Sequence, residues 1–202
     1  MNTQRLRNNT LMKDIIIGLL EDSLRTKETF IRSHVDLIIN TADAISTCLA
    51  SGHKVLIFGN GGSAADAQHL AAEFVNRFQI ERPPLAAIAL TTDTSVITSI
   101  GNDYHFNDIF DKQIKAFGKQ GDIAWGISTS GNSPNVVAAL TTARAMNIQT
   151  IGMTGDGGGK MADLCDMLFA VSSKTTARIQ ETHITLGHML CDLVEKKLYP
   201  DA

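Results

Sequence analysis

The 202-residue chain lacks three things that would set its class at once. Basic runs are missing: the formal net charge is −3 and Lys and Arg are scattered, which leaves a nucleic-acid-binding surface without compositional support. Cysteine pairs are missing too. Cys48, Cys165 and Cys191 lie far apart inside apolar segments with no CxxC spacing, which excludes a zinc knuckle or a disulfide framework and reads as buried thiols in a reducing compartment. The third absence is a long apolar run. "DIIIGLL" is too short to span a bilayer, and the polar start "MNTQRLRNNTLMK" is not followed by a small-residue cleavage site. The expectation is a soluble, cytoplasmic chain without membrane attachment. No internal repeat or low-complexity segment is visible.

What is present is 44% hydrophobic sequence arranged in short blocks, enough for one sizeable core. From about Leu11 to Ser51, apolar positions recur at helical spacing (Ile15, Ile16, Leu19, Leu20, then Val35, Ile38, Ile39, Ala42, Ile45, Leu49), with "ASG" as a stop. Two helices therefore precede the first strand, and the chain divides into an N-terminal helical segment, 1–52, and a main domain, 53–202. Beyond it, "KVLIFG" leads into a helix at Ser63, "LAAIAL" into "TDTSVITSIG", "DIAWGIS" into "NVVAALTTARAM", "QTIGMTG" into "KMADLC", and "MLFAVS" into a final helix from about Thr176 to Leu198. Apolar strands without alternation, separated by helices, predict a doubly wound α/β domain with a parallel sheet flanked by helices and right-handed crossovers. Ligands of such sheets gather at the carboxyl ends of the strands.

Three turns stand at those ends. Gly59, Asn60, Gly61 and Gly62 lead to Ser63 as the expected N-cap, with Asp66 in a capping-box position; backbone N–H groups there can face a phosphate or oxyanion. The spacing of Gly59, Gly61 and Ala64 also satisfies a dinucleotide fingerprint, but the acidic residue expected about 20 positions on is missing. In "STSGNSPN", Ser128, Thr129, Ser130 and Ser133 crowd hydroxyls before Pro134 opens a helix, more hydroxyls than capping uses and enough for a phosphate cradle without lysine. "TGDGGGKM" resembles a Walker loop but has Thr154 where its first glycine belongs and Met161 after the lysine, so it reads as a flexible connection.

His69 and Glu73, four apart on the first of these helices, share a face near the glycine turn. The pair could hold a metal, act as acid and base, or be a surface ion pair. The final helix adds Gln180, His183 and His188 to an otherwise apolar face, where a satisfied core histidine is the ordinary alternative.

Together, "GNGGSAADAQHLAAE", "GNDYHFNDIF", "ISTSGNSPNV", "TGDGGGKMA" and "ARIQETHITLGH" resemble the sugar isomerase (SIS) domain family, and within it the bacterial phosphoheptose isomerases, over nearly the whole chain. The resemblance implies conversion of sedoheptulose 7-phosphate to D-glycero-D-manno-heptose 7-phosphate, carbohydrate metabolism that supplies heptose for lipopolysaccharide. It implies that Ser128, Thr129, Ser130 and Ser133 hold the phosphate, that Asn60, Gly61, Gly62, Asn102 and Asp103 contact sugar hydroxyls, and that Gln180 lies near the substrate. His69, Glu73, Gln180 and His188 match the zinc ligands, one zinc per subunit, and Glu73 and His188 match the acid and base. A homotetramer with interfacial active sites and an N-terminal helical assembly core is implied as well.

Aldose–ketose interconversion moves a proton from C1 to C2 through an enediol, so carboxylate and imidazole suit the task, and a divalent cation suits the enediolate. One geometric question stays open. Eight residues on a straight helix separate the Gln180 and His188 Cα atoms by about 12 Å and rotate them by roughly 80°. Long side-chain reach, a bend near Gly187, ligands from two chains, or His183 as a substitute would each resolve it. The alternative function is a SIS scaffold that binds the replication initiator DnaA without catalysis; similarity in "NRFQIERPPLAAIAL" and "CDLVEKKLYP" supports it, and the presence of Glu73 and His188 speaks for the enzyme.

Overall fold

A computed structural model describes residues 2–201, with side chains described over 11–201. Two helices come first, α1 (Asn2–Ser33) and α2 (Val35–Ala50). Helix α1 starts nine residues before the expected Leu11, because no Gly or Pro between Asn2 and Leu11 stops a helix once it is nucleated downstream. Met1 and the side chains of the polar N-terminal run lie outside the described residues.

Five parallel strands follow: β1 (Val55–Gly59), β2 (Ala87–Ala89), β3 (Ile123–Ser128), β4 (Gln149–Thr154) and β5 (Met167–Ala170), in the order β2-β1-β3-β4-β5. The connecting helices are α3 (Gly62–Val75), α4 (Thr94–Asp103), α5 (Asp111–Phe117), α6 (Pro134–Ala145) and the long α7 (Thr176–Leu198). This is the doubly wound sheet expected from the apolar blocks. Helix α5 has no counterpart in the sequence pattern: at seven residues it is too short to show a helical period. "LAAIAL" forms strand over only three residues at the sheet edge, and "KMADLC" winds as a 3-10 helix, Gly159–Leu164, rather than an α-helix.

Strand β1 is buried throughout, and its side chains divide between two cores as a pleat requires. Val55 and Ile57 join Trp125, Ile127, Ile151 and Met153 under α2, α3 and α7; Leu56 and Phe58 join Ala124 under α5 and α6. Helix α2 sinks Ile38, Ala42 and Ile45 into the first core. Helix α1 reaches it at its C-terminal end, through Phe30 and the partly buried Ile31, while Leu11, Ile15, Ile16, Ile17, Leu19, Leu20 and Leu24 all stand exposed. Its hold on α7 is polar: Ser23 Oγ donates to Glu181 Oε2 at 2.6 Å and Arg178 donates to the Leu19 carbonyl at 2.7 Å. Among the described residues no helix is long and apolar enough to cross a membrane.

Candidate active site

The strand order reverses between β1 and β3, and in open parallel sheets the crevice at such a point receives the ligand. The loops flanking it are the glycine turn after β1 and the serine loop after β3. They are tied directly: Asn60 and Asn135 exchange two side-chain amide hydrogen bonds, each 2.9 Å, and Asn135 also accepts from the Val136 N–H through the oxygen that faces Asn60. The Asn60 amide is thus engaged by protein. Asn135, which "STSGNSPN" contains but spacing did not single out, fixes one loop on the other.

Ser63 does not cap α3. Gly61, at φ +56°, turns the chain in the left-handed region and takes the N-cap position two residues before Ser63, which leaves Ser63 buried inside the first turn. The capping box therefore does not form. Asp66 instead points one buried oxygen, Oδ2, at no protein partner, and burial raises its carboxyl pKa against the opposing pull of His69.

In the serine loop, Ser133 precedes Pro134, the first residue of α6, as expected, yet its hydroxyl makes no cap bond. It lies 2.8 Å from Ser128 Oγ, which is 3.3 Å from Ser130 Oγ, so three hydroxyls face one another at the strand end. The glycine-rich loop after β4 packs on this one backbone to backbone. A Cβ on Gly131 would lie 2.1 Å from the Gly158 carbonyl oxygen and one on Gly155 would lie 2.3 Å from that of Thr129. Its glycines permit this contact, and Asn132 locks it by accepting from the Lys160 N–H at 3.1 Å. The Walker look-alike is a buttress for the serine loop.

On the other side of the crevice α3 meets α7. Gly187 lies in the contact: a Cβ there would lie 2.5 Å from Leu70 Cδ2, so a larger residue would push the Leu70 side chain or the helices apart. Each contact residue neighbours a histidine. His69 Nε2 and His188 Nε2 consequently face each other at 2.8 Å, with Glu73 Oε1 3.3 Å from His69 Nε2. In this pair one ring must donate and the other accept. Burial, then the facing His69, depress the His188 pKa against the pull of Glu73. Among the described residues no three His, Cys, Asp or Glu side chains form a ready cation cage. Two imidazole nitrogens and a carboxylate converging from one chain are nevertheless the donor chemistry of a divalent N/O site.

Helix α7 runs unbroken through Gly187, and Gln180 stays two turns from His188, against the glycine turn. A Cβ on Gly62 would lie 2.4 Å from Gln180 Nε2. His183 does not substitute for His188. It is 1% exposed, its Nε2–H donates to the Thr154 carbonyl at 2.9 Å, and burial lowers its pKa to about 4. Asn102 and Asp103 stand exposed at the end of α4, joined to each other by a 2.8 Å hydrogen bond; among the described residues no hydrogen bond links them to the rest of the site.

The SIS domain family matches residues 20–155. A phosphoheptose isomerase of Nitratidesulfovibrio vulgaris (strain Hildenborough) is 57% identical over 185 residues, 92% of this chain and 89% of the relative. The solved phosphoheptose isomerase GmhA of Neisseria gonorrhoeae superposes with a TM-score of 0.86 at 43% identity, covering 92% of this chain and 99% of that one. The phosphoheptose isomerase structure of Francisella tularensis gives 0.88 at 39% identity, over 92% and 98%.

Proposed function

The chain belongs to the SIS-domain family, and from that premise we propose that it is a phosphoheptose isomerase, interconverting sedoheptulose 7-phosphate and D-glycero-D-manno-heptose 7-phosphate. The observation that carries the reading is the pairing of two unlike sites across one crevice: a cluster of hydroxyls after β3 and a His69, Glu73, His188 corner beside the glycine turn.

The phosphate sits in the serine loop, where Ser128, Thr129, Ser130 and Ser133 supply hydroxyls and the start of α6 supplies free N–H groups. The other end of the sugar lies along Gly61 and Gly62, with Gln180 beside it and Asn102 and Asp103 reaching outer hydroxyls. Glu73 takes a proton from C1 of the ketose to give the enediol. His188 moves the proton between the two oxygens and a proton returns to C2, leaving the aldehyde at C1. His69, Glu73 and His188 would hold one zinc, with Gln180 as the further ligand. When bound there, a divalent cation would supply electrostatic stabilisation of the enediolate.

The exposed apolar residues of α1 form a stripe no soluble monomer needs, which supports assembly of copies through the N-terminal helices into a homotetramer. A cytoplasmic setting agrees with three free cysteines. The product is an aldoheptose phosphate suited to lipopolysaccharide precursor synthesis. The scaffold alternative is not favoured, since Glu73 and His188 meet His69 in one corner, as a catalyst requires and a scaffold does not.

Proton NMR of sedoheptulose 7-phosphate incubated with the zinc-loaded protein in D₂O tests the reading. New aldose anomeric signals with deuterium entering at C2 are expected. A folded protein that leaves the ketose unchanged overturns the proposal.

A further inference from the structure

The histidine corner lacks a usual device. A metal-binding or catalytic imidazole is generally oriented by a hydrogen bond from its second nitrogen to a carbonyl or carboxylate. Among the described residues His188 Nδ1 has no such protein partner. What lies against the ring is Phe78, stacked at a centroid distance of 5.4 Å and an interplanar angle of 25°.

Phe78 is in a segment without regular structure, between α3 and β2, and would be free to swing were it not clamped. Glu195 provides the clamp. Its carboxylate accepts from the backbone N–H groups of Phe78 at 2.7 Å, Gln79 at 2.9 Å and Ile80 at 3.2 Å, and from Arg82 Nε at 2.8 Å. Arg82 in turn donates to the carbonyls of Glu73 and Phe74 at 2.8 and 2.9 Å, closing the last turn of α3. Both side chains of the Arg82–Glu195 pair are nearly inaccessible. Glu195 stands seven residues after His188, two helical turns on, and therefore on the same face of α7. One buried ion pair thus joins the helix of His69 and Glu73 to the helix of His188 and delivers the Phe78 ring.

We propose that Phe78, seated by the Arg82–Glu195 pair, is a positioning residue that fixes the His188 ring plane so that Nε2 points at His69. The kinetic part of this inference rests on the proposed isomerase reaction; the metal-binding part does not.

The test is zinc affinity by chelator competition, alongside kcat and KM for sedoheptulose 7-phosphate, in Phe78→Leu and Phe78→Tyr. Leucine keeps apolar bulk without a ring; tyrosine keeps the ring. The Leu variant should bind zinc roughly 10-fold more weakly and lose kcat by a similar factor. KM should stay within about twofold, since Phe78 is absent from the serine loop, and the Tyr variant should restore both losses. Circular dichroism confirms that each variant folds. Wild-type zinc affinity in the Leu variant overturns the proposal, as does a Tyr variant as impaired as Leu, which would reduce Phe78 to packing. A wild-type protein that binds zinc yet does not isomerise, with the Leu variant weakened for zinc, overturns the functional reading and upholds the positioning role.

Discussion

The two walls of the crevice are built on different principles. The serine loop is local: Ser128, Ser130, Ser133 and Pro134 lie within seven consecutive residues, and β3 and α6 present them in one turn. The histidine corner is assembled from residues 119 positions apart, and it forms where α3 and α7 pack at Leu70 and Gly187. A local cradle survives damage elsewhere, whereas a corner made by helix contact inherits every change in that contact. On the proposed function, such an arrangement would separate holding the phosphate from doing chemistry on the far carbons.

Removing the base should break the corner most severely while sparing the cradle. Glu73→Gln is expected to lower kcat by roughly 10²–10⁴-fold with little change in KM, measured by steady-state kinetics on sedoheptulose 7-phosphate. Next in size is the helix contact itself. Gly187→Val places side-chain atoms where Leu70 already packs, and overpacking of this kind costs about 1–3 kcal/mol of stability. Urea unfolding should show that loss, and adding Leu70→Ala should recover part of it; additive losses would show the contact is not what limits helix approach.

The opposite wall gives a smaller and differently shaped effect. Ser133→Ala deletes one hydroxyl of the cluster, so KM should rise several-fold, corresponding to about 1 kcal/mol, with kcat nearly intact. A kcat loss equal to that of Glu73→Gln would dissolve the distinction between the walls. A last effect concerns pH. His183, whose folded pKa is about 4, stays neutral in the core while the unfolded chain takes up a proton nearer the ordinary 6.5. The unfolded state therefore binds more protons between these values, and stability should fall as pH drops from about 6.5 toward 4. His183→Gln should flatten that slope in urea midpoints measured across the interval.

Legibility in the sequence followed the same division. The apolar blocks foretold β1, β3, β4 and β5 closely and α7 to the residue at both ends, because a parallel sheet buried on both faces leaves no polar alternation to confuse the pattern. The serine loop could be read because its residues are neighbours. Ser63 was misplaced because propensity ranks serine above glycine as an N-cap, while the turn geometry at Gly61 demands a positive φ. His183 and His188 looked alike in sequence, five apart on one helix, and only packing told them apart: one faces the end of β4, the other faces His69. Nothing in the local sequence marks Phe78, Arg82 or Glu195, each of which has a partner more than a hundred positions away.

By itself the sequence determined the layered parallel sheet, the chemistry of the turns at its strand ends and the family to which the chain belongs, since each is written in contiguous residues. Only the tertiary structure decided which histidine joins the site, that Gly187 serves helix contact, that the Walker-like loop is a buttress, and that one buried ion pair binds the two site helices together. These depend on the approach of distant segments, and the distances at which backbone, ring and carboxylate meet are set by packing rather than by spacing along the chain.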